Sequence, residues 1–261
     1  MRTISILNLK GGVAKTFTAV NMAYELHRRG FKVLLMDNDK QGNLSRAYGR
    51  YNAEDIAPIS RLLTEEWREA GEVIQHTDYK GIDIVTANMS LMGATWQLTA
   101  AEEGNQIERF KRLAEHTAGV SGYYDYCIID NPPDIGLNVV NALAITDEVI
   151  VPVKIDEWAL DGLDVLTEQI EDARQFNQRL CLRGILITAY QNTDGEAAGK
   201  EWLESSQFRG QQAYNILGVI RYSRKVAEST FNFKPIYEYS PCCAAAQDYK
   251  RFVTAYTGKG R

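Results

Sequence analysis

The sequence predicts an α/β fold in which helices flank a doubly wound, mostly parallel sheet. Short apolar runs alternate along the chain with segments of helical apolar spacing, which is the pattern of consecutive βαβ units. A glycine-rich turn separates the first apolar run from the first helical segment. With 261 residues, of which 45% are hydrophobic, the chain can bury one full core, so residues 1–261 are expected to form a single domain.

The apolar runs predict the strands of this sheet, and the periodic segments predict its helices. Strands are expected at Thr3–Leu7, Val33–Met36, Ile82–Val85, Tyr126–Ile129, Val149–Val153, Gly184–Thr188 and Ile216–Ile220. Helices are expected at Ala19–Arg29, Ile56–Gln75, Ala94–Thr117, Leu137–Ala144, Leu160–Gln178, Gly195–Ser206, Ser223–Phe231 and Ala244–Tyr256. Ligands of such sheets bind at the carboxyl ends of the strands, so a functional site is expected in the residues that directly follow them.

Composition predicts a cytoplasmic protein without integral membrane association. No run reaches the roughly 18 apolar residues that a membrane-spanning helix needs, and the first strand begins without a signal-peptide profile. Four cysteines fit a reducing compartment, and their spacing favours structural roles over a disulfide or a metal site. They are Cys127, Cys181, Cys242 and Cys243.

Charge is distributed unevenly along the chain. The net charge of −5 argues against nucleic-acid binding by the whole surface. Residues 205–261 nevertheless carry nine basic and three acidic side chains, whereas residues 1–204 carry 20 basic and 31 acidic ones. This basic C-terminal quarter indicates an anionic partner, with a solvated basic face as the alternative.

The stretch NLKGGVAKTFT, residues 8 to 18, joins the first strand to the first helix. The free N–H groups of a first helical turn and the positive end of the helix dipole favour a phosphate in such a turn. Lys15 would add a positive charge, and Thr16 a hydroxyl for Mg²⁺. The strict pattern G-x-x-x-x-G-K-[ST] fails, because Leu9 and Ala14 occupy its glycine positions. Taken alone, the stretch is also compatible with an ordinary strand-to-helix turn.

Carboxylates follow two of the predicted strands. Asp37 and Asp39 come after the run VLLM, and Asp130 comes after the run YCII. Beside a phosphate loop, such carboxylates can position Mg²⁺ or its water shell and orient a nucleophilic water. Each of them alone is equally compatible with a turn or a helix cap. Their combination with the two lysines of the loop indicates a site for Mg²⁺ and a nucleotide.

Four segments together resemble the ParA/MinD family of deviant Walker-type ATPases, and most closely its ParA (Soj-like) partition branch. They follow the family's order over nearly the whole chain: KGGVAKT at Lys10–Thr16, DNDKQGN at Asp37–Asn43, IDNPP at Ile129–Pro133 and IRYSRKVAE at Ile220–Glu228. The resemblance implies a phosphate-loop (P-loop) NTPase fold of the SIMIBI type, ATP and Mg²⁺ as cofactors, and slow ATP hydrolysis.

The resemblance also implies roles for individual residues. Lys15 would hold the β- and γ-phosphates, Asp39 would position the attacking water, and Lys10 would reach the phosphates bound to the other subunit of an ATP-sandwich homodimer. A triphosphate buried between two protomers needs positive charge from both sides. A side chain at Gly11, where the subunits should meet, should block dimerisation. The nucleotide would be bound by Lys10, Gly11, Gly12, Val13, Ala14, Lys15, Thr16 and Phe17, and the metal by Thr16, Asp37 and Asp130.

Three residues depart from the family pattern. Ala14 replaces a more usual glycine, which a non-positive φ would tolerate. Lys40 stands where the family commonly has proline, and its charge beside Asp39 could alter turnover or contact the partner. Asn131 replaces a common threonine. None of these changes removes a catalytic group, so slow hydrolysis is still expected.

The partition branch binds DNA non-specifically as the ATP-bound dimer, and the resemblance places the contacts in the basic quarter of the chain. Arg221, Arg224 and Lys225 are the expected DNA-binding residues, with Lys250 and Arg251 possible neighbours. Each cationic contact releases counterions, so a surface that forms in only one nucleotide state can be switched. The family also implies a ParB-like, centromere-binding activator protein and association with the nucleoid.

Two other branches of the family stay open. A MinD-like, membrane-cycling regulator of cell division would use an amphipathic C-terminal helix. The segment Ala244–Tyr256 has such a face, although packing of this face on the protein's own sheet is the alternative. An iron–sulfur relative would need suitably exposed cysteines at the dimer interface, and neither Cys127 nor the adjacent Cys242 and Cys243 suits that role.

Overall fold

The computed structural model describes residues 1–101, 106–119, 123–205 and 214–258. Within these residues, eight strands form one sheet: β1 Arg2–Ile6, β2 Val33–Asp37, β3 Gln75–His76, β4 Ile82–Val85, β5 Tyr126–Asp130, β6 Glu148–Val153, β7 Cys181–Tyr190 and β8 Ile216–Arg221. Their order is β3-β4-β2-β5-β1-β6-β7-β8, and only the pairing of β3 with β4 is antiparallel. The predicted doubly wound, mostly parallel sheet is confirmed.

Helices connect these strands and cover both faces of the sheet. They are α1 Lys15–Arg28, α2 Asn43–Ala47, α3 Pro58–Thr64, α4 Ser90–Ala100, α5 Lys111–Gly119, α6 Leu137–Ile145, α7 Glu157–Ala173, α8 Asp194–Ser205, α9 Arg224–Phe231, α10 Ile236–Tyr239 and α11 Ala244–Thr257. Helices α1 and α11 cover one face, and α3 to α8 cover the other.

Strand β2 shows why the apolar runs are continuous. Leu35 packs in the cluster that contains α1 and α11, whereas Leu34 and Met36 pack against α3 to α6. Successive side chains of a strand point to opposite faces, and here both faces are buried. All five residues of β2 are accordingly buried, including Asp37 at its end.

The register of the central strands brings the predicted carboxylates together. Asp37 is the partner of Asp130 in the pairing of β2 with β5, and Ile6 is the partner of Asp130 in the pairing of β1 with β5. The loop that follows β1 is the glycine-rich one, so its residues and both carboxylates share the carboxyl edge of the sheet.

Several predicted helix limits are wrong. Helix α1 begins four residues before the predicted Ala19, and α7 ends at Ala173 and not at the predicted Gln178. The segment Ile56–Gln75 is helical only in α3, because Glu65 adopts a left-handed φ of +58° and the chain then forms a short 3-10 turn and β3. The segment Ala94–Thr117 contains two helices, since Ala101 is extended after α4. Helices α2 and α10 and strand β3 were not predicted, and the predicted helix end at residue 206 lies outside the described residues.

The C-terminal helix α11 buries its apolar face. Tyr249, Phe252, Val253 and Tyr256 are at most 7% exposed, and the Tyr249 hydroxyl lies 2.9 Å from the Thr18 hydroxyl of α1. This face is therefore part of the core and is not available to a lipid surface. No helix in the described part of the chain has the length and apolar character to cross a membrane.

Candidate nucleotide-binding site

The glycine-rich loop ends in a strained backbone conformation. Ala14 has φ +67° and ψ +32°, so the expectation of a non-positive φ at this residue is wrong. A left-handed conformation places the Cβ of an L-residue close to backbone atoms and is favourable only for glycine. Gly12 also has a positive φ, of +74°, and it is a residue type that tolerates this.

Lys15, the first residue of α1, folds back over the loop. Its ammonium donates hydrogen bonds to the backbone carbonyls of Asn8 at 3.0 Å and Lys10 at 2.8 Å. Burial lowers the pKa of Lys15, and the nearby carboxylates, Asp130 first, partly offset this effect. The ammonium is therefore poorly solvated and is held where a phosphate group would provide a better acceptor.

Asn8 shapes the same loop and was not predicted. Its side chain donates to the Pro152 carbonyl at the end of β6 at 2.7 Å and accepts from the Lys10 N–H at 2.9 Å. It connects the loop after β1 to the neighbouring strand. Its signal in the sequence is its position, since Asn8 is a polar residue just after a buried strand.

The side chain of Lys10 forms an ion pair with Asp156 of the same chain. About a third of each side chain is exposed, 34% for Lys10 and 37% for Asp156. Lys10 therefore lies at the surface of the loop with its charge neutralised within the protomer. Asp156 was not predicted, because it is 146 residues away in sequence.

The carboxylate of Asp130 is the least satisfied polar group of the site. Both of its oxygens are buried and lack a hydrogen-bond partner of normal geometry among the described residues. Burial raises the pKa of Asp130 well above its usual value, Asp37 raises it further, and Thr16 and Lys15 lower it. A buried, unpartnered carboxylate beside a threonine hydroxyl is a donor set suited to Mg²⁺.

Asp37, by contrast, has its hydrogen-bonding capacity in use. Its Oδ2 accepts from the Ser45 N–H at 2.8 Å and the Ser45 hydroxyl at 2.6 Å, and its Oδ1 accepts from the Asp39 N–H at 3.2 Å. Burial raises the pKa of Asp37 to about 6 despite these bonds. Asp37 thus fixes the loop after β2 in addition to adding negative charge near Asp130.

Asp39 lies within this loop and is only partly buried. Its carboxylate accepts from the Gln41 N–H at 2.9 Å, and the side chain lines the main cavity of the site. The loop turns at Gly42, which has φ +64°, and a Cβ there would lie 2.5 Å from the Tyr51 ring and 2.7 Å from the Ala87 carbonyl. Only glycine fits this position, which helps to fix Asp39 at the cavity.

The cavity has a volume of about 620 Å³ and two contrasting walls. One wall is the glycine-rich loop with Lys15 and Thr16, and the other is the segment from Ile220 to Arg224 at the junction of β8 and α9. Thr188 and Ala189 of β7 lie between them, and the Thr188 hydroxyl donates to the Val13 carbonyl at 3.1 Å. A nucleotide-sized ligand can therefore contact both walls at once.

The three predicted DNA-binding residues differ in their pairing. Arg221 donates to both carboxylate oxygens of the buried Asp248, at 2.8 and 2.9 Å, and the Lys225 ammonium lies 2.6 Å from Glu228. Arg224 is exposed and forms no ion pair in the part of the chain that the structure describes. Arg224 is therefore the available cation of the three, whereas Arg221 also joins β8 to α11.

Comparisons with known proteins agree with this geometry. A family model described as an AAA domain matches residues 1–182. The chromosome partitioning protein ParA of Caulobacter vibrioides is 31% identical over 100% of this chain and 96% of its own. The chromosome-partitioning ATPase Soj of Thermus thermophilus is 34% identical over 97% of this chain and 94% of its own.

The chain belongs to the ParA family of chromosome-partitioning ATPases. Its match to an uncharacterised protein of Mycobacterium tuberculosis, at 37% identity, covers 72% of this chain and spans 58% of that protein's length. The ParA assignment confirms the resemblance expected from the four sequence segments.

Solved structures share the fold of this ParA-family chain. The complex of a Cyanothece McdA variant with ATP superposes with a TM-score of 0.83, at 19% identity over 100% of this chain and 98% of its own. Cobyrinic acid a,c-diamide synthase of Mycobacterium smegmatis with ADP and magnesium gives 0.78, at 26% identity over 98% of this chain and 94% of its own. The expected P-loop ATPase fold is thereby confirmed.

The cysteines of this ParA-family protein contribute nothing visible to the site. Cys127 is buried in β5, and burial raises the pKa of its thiol to about 12, which disfavours the thiolate that a metal cluster needs. Among the described residues, no group of His, Cys, Asp and Glu side chains has the arrangement of a metal centre of its own.

Proposed function

We propose that this chain is a ParA-like ATPase that binds ATP with Mg²⁺, closes into an ATP-sandwich homodimer, binds DNA non-specifically and hydrolyses ATP slowly to drive plasmid or chromosome partition. One observation carries this proposal: the phosphate loop and the Arg221–Arg224 segment line the same cavity. A nucleotide in the cavity would contact the segment that presents Arg224 to solvent. Nucleotide state and DNA affinity would thereby be coupled through one set of contacts.

Nucleotide binding and hydrolysis would depend on side chains that are buried and poorly solvated. Lys15 would exchange the carbonyls of Asn8 and Lys10 for phosphate oxygens, which are stronger acceptors for an ammonium. Thr16 and Asp130 are the residues that would hold Mg²⁺, with Asp37 supporting the metal site beside them. The ion would supply positive charge to the phosphates and to the buried carboxylate. Asp39, at the cavity wall, would orient the attacking water.

The proposed homodimer rests on Lys10 and Gly11. The ion pair of Lys10 with Asp156 is partly exposed, and such pairs contribute little stability, so the lysine can be released from it. A triphosphate on the opposite protomer carries more negative charge than one carboxylate and would attract Lys10 across the interface. Gly11 is exposed, and nothing lies within 4 Å of a Cβ placed there, so this side of the loop can receive a second subunit.

The proposed DNA surface centres on Arg224, which begins α9. Lys225 is neutralised by Glu228 and Arg221 by Asp248, so Arg224 is expected to make the largest single contribution of the three. A ParB-like activator and association with the nucleoid enter the proposal through the family alone. Because the apolar face of α11 is buried, we do not propose a membrane-cycling role.

DNA binding in two nucleotide states tests the proposal directly. The purified protein is titrated with a random-sequence duplex in ATP–Mg²⁺ and in ADP–Mg²⁺, each at two salt concentrations. Binding is expected only with ATP, and it should weaken as salt rises because phosphate contacts release counterions. Arg224→Ala should weaken this binding, whereas Lys225→Ala should weaken it less.

Arg179→Ala is the control, because Arg179 is an exposed arginine just before β7, at the amino ends of the strands, whereas Arg224 follows the carboxyl end of β8. Arg179 is paired with Asp147 at 3.7 Å, but 75% of its side chain is exposed. It should bind DNA as the wild type does. Equal binding in ATP and ADP would refute the nucleotide switch, and no binding in either state would refute the DNA-partition function. Liposome flotation would then test the MinD-like alternative.

A further inference from the structure

Three buried asparagines form a hydrogen-bonded group beside the nucleotide site, and we call them the amide cluster. Asn38 follows β2, Asn131 follows β5 and Asn138 lies in the first turn of α6, with exposed fractions of 0%, 1% and 6%. The Asn38 amide donates to the Asn131 side-chain oxygen at 2.9 Å and to the Asn138 backbone carbonyl at 3.1 Å. The Asn138 amide donates in return to the Asn38 backbone carbonyl at 3.0 Å.

The amide cluster connects the backbones of four elements. The Asn38 N–H donates to the Asp130 carbonyl at 2.9 Å, and the Asn131 N–H donates to the Ile6 carbonyl at 3.2 Å. The Asn131 side chain also reaches the Ile6 carbonyl, at 3.3 Å. The ends of β1, β2 and β5 and the start of α6 therefore meet at one hydrogen-bonded point.

Every candidate acidic group of the site is adjacent to this point in the chain. Asn38 separates Asp37 from Asp39, and Asn131 directly follows Asp130. A shift of either asparagine would therefore move the backbone that carries one or two of these carboxylates.

Hydrogen bonds suit this connection better than apolar packing would. Apolar contacts are non-directional, whereas amide hydrogen bonds fix both distance and angle. The Asn38 amide needs the Asn131 side-chain oxygen as an acceptor, and the buried Asn38 carbonyl accepts from the Asn138 amide. Truncation of Asn131 or of Asn138 would therefore leave a buried polar group of Asn38 without a partner. The cluster thus favours a single relative position of the two loops.

We propose that the amide cluster is a positioning device for ATP hydrolysis. It holds the loop after β2 against the loop after β5, so that Asp39 and Asp130 keep a fixed relative position while the nucleotide reacts. Asn38, Asn131 and Asn138 are positioning residues, since none of them is among the described residues that line the nucleotide cavity. This inference rests on the roles proposed above for Asp39 and Asp130.

Loss of the amide cluster should affect ATP turnover but not ATP binding. Nucleotide affinity is expected to depend chiefly on the loop Lys10–Phe17, and the side-chain hydrogen bonds of the amide cluster go to other residues. Turnover depends on the relative placement of reacting groups, and a misplacement of about 1 Å can lower a rate by about 10²-fold. Loss of the cluster should therefore lower kcat and leave the Kd for ATP nearly unchanged.

The test uses Asn131→Ala, Asn138→Ala and the double variant of the full chain. Single-turnover ATP hydrolysis with Mg²⁺ gives the rate, calorimetry gives the Kd for ATP, and thermal unfolding gives Tm. Asn177→Ala is the matched control, because Asn177 is 6% exposed and donates to the carbonyls of Leu143 at 2.8 Å and Thr146 at 2.6 Å, at the other end of α6.

The expected result is a rate loss of about tenfold or more in each cluster variant, with the Kd for ATP within about twofold of wild type. The double variant should lose little more than the single ones, since the two residues act through Asn38. Asn177→Ala should lower Tm and keep the wild-type rate. A wild-type rate in the folded cluster variants, or an equal rate loss in Asn177→Ala, would overturn the proposal.

Two further variants keep the outcome unambiguous. Gly136→Ala is a mild perturbation, because a Cβ at Gly136 would lie 2.8 Å from the Asn138 side-chain oxygen, and it should also lower the rate. Asp39→Ala tests the role on which the inference rests and should abolish turnover. Wild-type turnover of Asp39→Ala would refute that role, whereas an inactive Asp39→Ala with fully active cluster variants would refute the amide cluster alone.

Discussion

Ala14 combines an L-residue with a left-handed backbone at the start of α1, with φ +67°. A non-glycine residue in this region carries a strain of about 1–2 kcal/mol. Ala14→Gly should relieve the strain and raise the free energy of unfolding by about 0.5–1 kcal/mol, after allowance for the greater flexibility of glycine in the unfolded chain. Urea unfolding at neutral pH measures the change.

Ala198→Gly provides the matched control for this prediction. Ala198 is exposed within α8, where a helical φ suits alanine, so the same substitution should lower stability by about 0.5–1 kcal/mol. A decrease of similar size in both variants would show that Ala14 is not strained. Opposite signs would identify the left-handed backbone as the cause.

Asp130 carries an unsatisfied buried carboxylate, and its removal should stabilise the ligand-free protein. Asp130→Asn keeps the size of the side chain and removes its buried negative charge, so it is expected to raise the free energy of unfolding at pH 7.5 by roughly 1–3 kcal/mol. It should also weaken the stabilisation expected from ATP–Mg²⁺ in the wild type, because Asp130 is a proposed ligand of the metal.

The raised pKa of Asp130 determines how the stability gained by Asp130→Asn changes with pH. The pKa of Asp130 is raised by folding, so the stability contributed by its protonated form is present at low pH and lost as pH rises through the folded pKa. The advantage of Asp130→Asn should therefore be small at pH 4 and large at pH 7.5. Unfolding at these two pH values measures it, and an advantage that grows towards pH 4 would contradict the assignment.

At the scale of elements, buried strands were predictable and several helix limits were not. Six of the seven predicted strands agree with the observed ones within two residues at each end, because most of these strands are buried on both faces and are therefore largely apolar. The seventh strand, β7, begins three residues earlier and ends two residues later than predicted. The added residues at both ends are partly or fully exposed. The helix predicted at Ile56–Gln75 ends early because the backbone of Glu65 is left-handed. No residue such as glycine marks this conformation in the sequence.

The junction of β8 with α11 gives a prediction that separates stability from DNA binding. Asp248 is buried, and its carboxylate accepts from both the guanidinium and the backbone N–H of Arg221. Arg221→Ala would leave that buried carboxylate with fewer partners, so it should lower Tm. Arg224→Ala removes an exposed side chain that has no ion pair among the described residues, and it should leave Tm unchanged.

Thermal unfolding of the two variants at pH 7 distinguishes these roles. If both lose DNA affinity while only Arg221→Ala loses Tm, the effect of Arg221 on DNA includes a structural part. If Arg221→Ala keeps the wild-type Tm, its ion pair with Asp248 does not stabilise the junction. Lys225→Ala serves as a control, since the pair of Lys225 with Glu228 is exposed.

At the scale of the whole molecule, the sequence predicted which residues follow the strands and share one edge of the sheet, but it did not predict the partners of these residues. The strand pattern and the fold place Lys15, Asp39 and Asp130 at one edge of the sheet. The partners Ser45 and Asp156 are found only in the folded chain, because nothing in the local sequence of either one indicates what it contacts. Ser45 reaches Asp37 from α2, the helix that directly follows the loop, whereas Asp156 is 146 residues away from Lys10.

Dimerisation is the property that belongs to the molecule as a whole, and Gly11 is the residue at which to test it. A Cβ at Gly11 would contact nothing within 4 Å, and its backbone lacks the positive φ of Gly12. Gly11→Val should therefore fold and bind ATP as a monomer, because its added side chain would occupy the space that the second subunit needs in the proposed dimer. Gly12→Val is the matched contrast, because a β-branched residue at φ +74° should distort the loop and weaken ATP binding itself.

Calorimetry with ATP–Mg²⁺ and light scattering in the same buffer separate the two outcomes. Gly11→Val is expected to bind ATP and to keep the mass of one protomer, whereas the wild type is expected to double its mass with ATP. Because Lys10 acts across the interface in the proposed dimer, the same variant should also lose turnover and DNA binding. A fully dimeric, ATP-bound Gly11→Val would refute the face-to-face arrangement, since two phosphate loops could not then approach each other through this glycine.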